Sequence, residues 1–373
     1  MQIKILDLKS QSEKIKSEID FAITNCLNSA EFINSKIVNI FSENLSKYLD
    51  NTFIIPCANG TDALQIALMS LDLQEDDEII LPAFTYIATA EVIALLKLKA
   101  VLVDVNVNDF NISIESIRNA ITPKTKCIVP VHLFGQACDM LSIMQIANEH
   151  NLYVIEDTAQ SIATDVIYSD DNKKKAGTIG NIGTLSFFPT KNLGAFGDAG
   201  AIICNDEFLA KKIKMIANHG QSKKYHHELI GVNSRLDSLQ AAILNVKLKY
   251  LNEYIHKRQS IAKYYDEHLS NIDQLIIPQR TNYSTHTFHQ YTLRVLNNKR
   301  DKLKSFLQDK GIPSMIYYPM PVHKQEAYKN WSIGAGGVSV SERLCKEVLS
   351  IPIHTELTDE EMEYIVGSIK EFF

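Results

Sequence analysis

The chain has 373 residues, with 38 lysines and arginines against 44 aspartates and glutamates, a formal charge of −6. Hydrophobic residues make up 45% and charged residues 22%, which excludes a mainly disordered chain and predicts a globular protein of about two domains at roughly 150 residues each. The mild, dispersed acidity argues against nucleic acid or an anionic membrane as partner, since both need a basic face. It leaves open a small phosphorylated ligand at a locally basic site.

Two helices are predicted first, over 11–27 and 34–49, with Ile15, Ile19, Ala22 and Ile23 at helical spacing. Short apolar strands then alternate with helices. The strands fall over 52–57, 78–81, 100–105, 126–131 and 152–156, and the helices over 61–70, 86–96, 113–120 and 140–150. This alternation predicts a mainly parallel sheet covered on both faces, with ligands bound at the carboxyl ends of its strands. After Gly180 the spacing predicts Gly-rich strands over 185–188, 194–200 and 201–204, a helix over 206–219 and a loop through His227. One long, bent helix over 234–270 follows. Strands over 287–296 and 313–317, with helices over 300–310, 337–348 and 358–372, read as a smaller α/β domain. The hydrophilic stretch 169–175 reads as a surface turn.

The opening residues mix charged with apolar side chains and offer no small-residue cleavage site, so they do not read as a secretory signal. No run approaches the ~20 apolar residues of a membrane span. Six scattered cysteines, without CxxC spacing, are expected to be buried reduced thiols of a cytoplasmic protein.

Four positions that follow strands carry chemistry. In Cys57-Ala58-Asn59-Gly60-Thr61-Asp62, a glycine, a hydroxyl and a helix N-terminus make an anion cradle suited to phosphate; the plainer alternative is a Thr or Asp helix cap. The stretch lacks the lysine of a Walker loop. In Glu156-Asp157-Thr158-Ala159-Gln160, a carboxylate at a strand end can hold a protonated ring nitrogen, bind a metal or cap a helix. In Ser186-Phe187-Phe188-Pro189-Thr190-Lys191, the lysine is held between an apolar strand and a Gly-rich turn. It is a candidate Schiff-base former, and the alternative is a solvent-facing loop lysine. In Asn233-Ser234-Arg235, an arginine at an expected helix start runs against dipole logic, which favours an anion-binding reading. His219, His226 and His227 have no third ligand at helical spacing, so no metal is expected.

With these four segments in this order, the chain resembles the DegT/DnrJ/EryC1/StrS family of pyridoxal-phosphate sugar aminotransferases, of the aspartate aminotransferase fold. The resemblance covers nearly the whole length. It includes Ile5-Leu6-Asp7-Leu8-Lys9, Ala58 through Leu64, Pro82-Ala83-Phe84-Thr85-Tyr86-Ile87-Ala88-Thr89-Ala90 and Val131-His132-Leu133-Phe134-Gly135-Gln136. It continues through Glu156 to Ser161, 186–194, 231–240 and Tyr318-Pro319-Met320-Pro321-Val322-His323-Lys324-Gln325. The resemblance implies fold type I of the PLP-dependent transferases, with a large domain over 1–245 and a small C-terminal α/β domain over 246–373.

By the same resemblance Lys191 is the lysine that carries the cofactor and moves the proton, and Asp157 pairs with the ring nitrogen. Gln160 lies near the ring oxygen, and Tyr86 stacks on the ring, with Phe84 a weaker candidate. Gly60, Thr61 and Ser186 cradle the phosphate. Asn233 reaches that phosphate from a partner subunit, which implies a homodimer with shared sites. Thr158 departs from the pattern, many relatives having Ala there.

The implied substrates are a keto nucleotide-sugar and glutamate. Within the family the chain is most similar to enzymes that aminate C3 of a UDP-linked 2-acetamido-3-keto-hexuluronic acid, on the strength of 84–91, the 219–227 loop and His289-Gln290-Tyr291-Thr292. Arg235, Tyr317 and His323 are candidates for the extra carboxylate, with Lys223, Lys224 and His227 in support. Such chemistry belongs to routes such as lipopolysaccharide O-antigen synthesis. A dTDP-3-keto-6-deoxyhexose 3-aminotransferase and a 4-keto aminotransferase are the alternatives. A sugar dehydratase, in which the lysine is usually replaced by His, and a non-catalytic regulator are disfavoured by intact Lys191, Asp157 and Ser186.

Overall fold

Strands in the first two hundred residues read as near-continuous apolar runs because helices cover both of their faces. In the computed structural model, which describes residues 3–169 and 171–373, most of them join Gly200–Cys204 and the distant Ser332–Ile333 in an eight-stranded sheet. The order across it is Phe53–Cys57, Gly200–Cys204, Ile182–Ser186, Tyr153–Asp157, Thr125–Ile128, Glu78–Pro82, Lys99–Val103 and Ser332–Ile333. Gly200–Cys204 runs antiparallel to both of its neighbours, and the other pairings are parallel. Side-chain alternation along Glu78–Pro82 sorts the layers. Ile79 and Leu81 join the core beneath helices Gly60–Met69, Ala88–Leu95 and Glu207–Ala217, whereas Ile80 faces helices Ile114–Ala120 and Met140–His150.

A second core gathers around the antiparallel strands Leu275–Ile276, Tyr291–Val295 and Val348–Ile351. Helices Leu251–Leu269, Arg300–Asp309 and Asp359–Phe372 cover it. Ile3 also packs there, its N–H donating to the Gly311 carbonyl at 3.2 Å. All six cysteines are buried and free. Among the described residues no helix is long and apolar enough to cross a membrane.

Several elements differ from the sequence expectation. The first helix breaks at Ile15 into Leu8–Lys14 and Lys16–Ser29, and the long helix divides into Ser238–Leu248 and Leu251–Leu269. No strand forms over 313–317, where Met315 makes a single bridge to Ser350. The stretch 169–175 is more than a turn: Asp165–Ser169 and Asn172–Lys175 pair as an antiparallel ribbon, although residue 170 lies outside the described residues. The loop through His227 carries a second small hairpin, Gln221–Lys223 with His226–His227. The Gly-rich stretch 194–200 is not a strand but the return arm of a tight loop, for a reason that lies in the site itself.

Candidate active site

The carboxyl ends of Tyr153–Asp157 and Ile182–Ser186, with the start of helix Gly60–Met69, open onto one cavity of about 900 Å³. Gly60, Thr61, Tyr86, Asp157, Gln160, Ser186, Lys191 and Tyr317 all line it. Four of the expected site residues do not. Asn233 and His227 lie outside it, Arg235 lines a separate cavity with Lys211 and Lys214, and His323 sits against Glu342 with Nε2 2.9 Å from Oε1.

The anion cradle comes from a helix start pressed onto a strand end. Asn59, and not Thr61 or Asp62, caps the helix, its Oδ1 accepting from the Asp62 N–H at 2.8 Å. The hydroxyl of Thr61 is therefore not consumed by capping, and the N–H groups of the first turn have no partner within the helix. A Cβ on Gly60 would lie 2.7 Å from Ser186 Cβ, and one on Gly200 would lie 2.4 Å from the Asn59 carbonyl. Two glycines thus let the helix N-terminus approach Ser186. Gly60→Ala is expected to push these apart and weaken binding of a phosphorylated cofactor by roughly tenfold or more, read by equilibrium dialysis; unchanged affinity would refute the cradle.

Lys191 stands on a loop that doubles back on itself. Its N–H donates to the Phe188 carbonyl and that of Ala195 to the Phe187 carbonyl, both at 2.8 Å. The return arm passes so close that a Cβ on Gly194 would lie 2.3 Å from the Pro189 carbonyl, which is why this stretch cannot be a strand. Lys247, buried on helix Ser238–Leu248, donates to the Gly194 carbonyl from beneath. Burial lowers the Lys191 amine to about 8, although the charge of Asp157 acts in the opposite sense.

Asp157 does not cap a helix. Its Oδ1 accepts from the Ala159 N–H at 3.1 Å and its Oδ2 from the Thr89 hydroxyl at 2.8 Å. The adjacent Glu156 points to the other side and is fully buried. Its carboxylate accepts from the N–H groups of Gly177 (2.8 Å), Ile179 (2.7 Å) and Gly180 (2.6 Å) and from His132 Nε2 (2.9 Å). Burial alone would raise this carboxyl, but the hydrogen bonds from His132 and the backbone outweigh it and hold the group below its ordinary value. Thr158 turns its hydroxyl to the Thr184 carbonyl at 2.5 Å, so the departure at this position serves the sheet.

Gln160 is fixed at both ends: its Oε1 accepts from the Phe134 N–H at 2.8 Å and its Nε2 donates to the Tyr318 hydroxyl at 2.9 Å. Phe84 is buried among Phe110, Phe134 and Tyr318, whereas Tyr86 is exposed to the cavity, so Tyr86 is the aromatic available to a ligand. Arg235 does not begin a helix, because the helix starts at Ser238. The dipole misfit read from the sequence therefore disappears.

Among the lining residues that residue-level reasoning did not single out, two matter chemically. Tyr318 fixes Gln160, and burial pushes its phenol up. His289, buried with its Nδ1 unpartnered, is held well below its ordinary value by burial and by the charges of Lys191 and Arg258, so it is neutral. Both lie within segments that carry the resemblance, which was their only signal.

The sequence profile of the DegT/DnrJ/EryC1/StrS aminotransferase family matches residues 13–370. The chain belongs to that family. It is 41% identical to the "pleiotropic regulatory protein" of Geobacillus stearothermophilus, over 100% of this chain and 99% of the relative. It is 38% identical to the UDP-2-acetamido-2-deoxy-3-oxo-D-glucuronate aminotransferase of Pseudomonas aeruginosa, over 98% and 99%. It is 39% identical to the UDP-N-acetyl-3-dehydro-α-D-glucosamine 3-aminotransferase of Acidithiobacillus ferrooxidans, over 99% and 97%. Among solved structures, NtdA of Bacillus subtilis with its bound cofactor PMP superposes with a TM-score of 0.91. It shares 32% identity, over 99% of this chain and 85% of that one.

The architecture is that of the fold type I PLP-dependent transferases, and the cofactor of this DegT-family enzyme is pyridoxal 5′-phosphate. The residues present fit it. One cavity joins a desolvated amine, a carboxylate with both oxygens anchored, and a helix start that only glycine lets close on Ser186. Among the described residues no three His, Cys, Asp or Glu side chains group to hold a metal.

Proposed function

We propose that this family member transfers an amino group from glutamate to C3 of a UDP-linked 2-acetamido-3-keto sugar, the hexuluronic acid in particular. The observation that carries the reading is that the Lys191 amine, the Asp157 carboxylate and the Gly60–Thr61–Ser186 cradle open onto a single cavity. The Pseudomonas and Acidithiobacillus relatives support the sugar class, since their names share the UDP group and carbon 3 and differ over the uronic acid. The regulatory name of the Geobacillus protein accounts for none of the chemistry gathered here.

When bound, the cofactor supplies an electron sink for the substrate carbon. Gly60, Thr61 and Ser186 bind its phosphate with N–H and hydroxyl donors, and the helix N-terminus favours the negative charge. Asp157 would pair with the ring nitrogen and keep it protonated, Gln160 would serve the ring oxygen and Tyr86 would supply the aromatic face for the ring. Lys191, neutral for half of its population near pH 8, takes a proton from the substrate carbon and returns it.

Asn233, Arg235 and His227 serve the cavity of a second subunit in a homodimer. The exposure of Phe21, Leu27, Phe32 and Ile33 on the N-terminal segment is in keeping with such pairing, which would cover large apolar side chains. Arg235 and Tyr317 are then the partners for a uronate carboxylate. His323, already held by Glu342, is the weaker one. We assign the enzyme to the cytoplasm, in line with its six free, buried cysteines, and to nucleotide amino-sugar synthesis such as that of O-antigen.

The test is a glutamate-coupled assay across UDP- and dTDP-linked 3-keto and 4-keto sugars. Turnover highest with the UDP-linked 3-keto-hexuluronate supports the reading; turnover confined to dTDP or 4-keto sugars overturns it. Arg235→Ala is expected to raise KM for the uronate by about tenfold or more, as loss of a charge-assisted hydrogen bond does, and to spare cofactor binding. Equal loss of both would count against Arg235 as a carboxylate partner.

A further inference from the structure

Thr89 has no assigned role, yet its hydroxyl makes the only side-chain hydrogen bond to Asp157 among the described residues. It lies on the first turn of helix Ala88–Leu95 and is 1% exposed. The 2.8 Å distance is that of a strong O–H···O bond to a carboxylate. The other carboxylate oxygen takes the Ala159 N–H at 3.1 Å. Each oxygen of Asp157 therefore has one anchored donor and capacity left for the cavity that it lines.

We propose that Thr89 is a positioning residue that holds the Asp157 carboxylate in place against the cofactor's ring nitrogen, and so keeps that nitrogen protonated. The inference rests on the pairing of Asp157 with that nitrogen. In such a pair one proton is shared between nitrogen and oxygen. A hydroxyl bonded to one carboxylate oxygen holds the group in the orientation that faces that nitrogen, and the ion pair so aligned favours the proton on nitrogen. Without that donor the carboxylate can turn out of line, the ion pair weakens and the nitrogen gives up its proton. Thr89 also fixes the carboxylate plane, and the helix that carries it fixes Thr89.

The experiment uses holoenzyme loaded with pyridoxal phosphate labelled with nitrogen-15 in the ring, and solid-state NMR of that nitrogen between about pH 6 and 9. The wild type is expected to give the shift of a protonated nitrogen throughout. Thr89→Val, which keeps the shape and removes the donor, is expected to move the shift toward the unprotonated value, and Thr89→Ser is expected to restore it. Should the valine variant fail to fold, Thr89→Ala provides the same comparison. Asp157→Asn separates the two ideas. If Asp157→Asn gives an unprotonated nitrogen while Thr89→Val and Thr89→Ala match the wild type, the role of Thr89 is overturned and the pairing stands. If the nitrogen stays protonated in Asp157→Asn, the pairing is overturned and the inference falls with it.

Discussion

Lys191→Ala is expected to lower kcat by about 10³-fold or more, the scale on which a positioned acid–base group contributes, while leaving the fold intact. The side chain stands at the tip of a loop whose shape is set by backbone bonds and by the close pass of Gly194, none of which needs the amine. Reduction of the wild-type holoenzyme with borohydride, followed by digestion, is expected to leave the cofactor mass on the peptide containing Lys191 and on no other. In Lys191→Ala the cofactor is expected to dialyse away after the same treatment. Label on another lysine, or a fully active alanine variant, would end the assignment. The amine also makes a pH prediction. Burial lowers it from 10.5 to about 8, so its neutral, nucleophilic form rises through pH 8. Cofactor uptake by the apoprotein should therefore accelerate up to about pH 8 and then level off, where an ordinary lysine would go on accelerating toward 10.5.

The alternation of strands and helices was legible because strands buried on both faces are apolar throughout and their helices are amphipathic. The cradle at Gly60 was legible only as one of two readings, because a glycine and a hydroxyl at a helix start serve a cap as readily as a phosphate; its place among the four ordered segments favoured the phosphate. Position within the fold was harder to read. The stretch 194–200 looks like a strand from its small apolar residues, yet close passage past Pro189 decides its shape, and no local pattern reports a contact of that kind. The helix starts only at Ser238, after an extended Asp237 that makes no side-chain capping bond, so nothing local marked a boundary that continuous helical periodicity hides. Thr89 lies in an apolar run and His289 beside a strand, where a buried polar group without its partner reads as filler. Their meaning comes from Asp157 and Lys191, 68 residues away in one case and on a separate loop in the other.

Glu156→Gln is expected to cost about 3–5 kcal/mol of stability, the range for removing one partner from a buried charged network, and to do so by a nearly isosteric change. The wild-type carboxylate faces four donors. Three are the backbone N–H groups of Gly177, Ile179 and Gly180. The fourth is His132, whose Nδ1 accepts from the Cys138 N–H at 3.0 Å, so that Nε2 carries the proton and donates. A glutamine offers one oxygen and one NH2. Whichever way it turns, its NH2 points at two N–H groups that have lost their acceptor inside the core. His132 cannot adapt by moving its proton, because Nδ1 is already taken. The sign of the pH dependence follows from the depressed carboxyl. A group whose folded value lies below its unfolded one stabilises fully above the unfolded value, here 4.5, and loses that contribution as the pH falls through the folded value. The gap in thermal midpoint between wild type and Glu156→Gln should therefore be constant near neutrality and narrow only below about pH 4.5. A gap that widens with acid, or no gap at pH 7, would show that the network does not hold this strand end. Since Asp157 is the next residue along, the destabilised variant should also bind cofactor more weakly, and Glu156→Asp, which retains charge but falls short of the loop, should lie between the two.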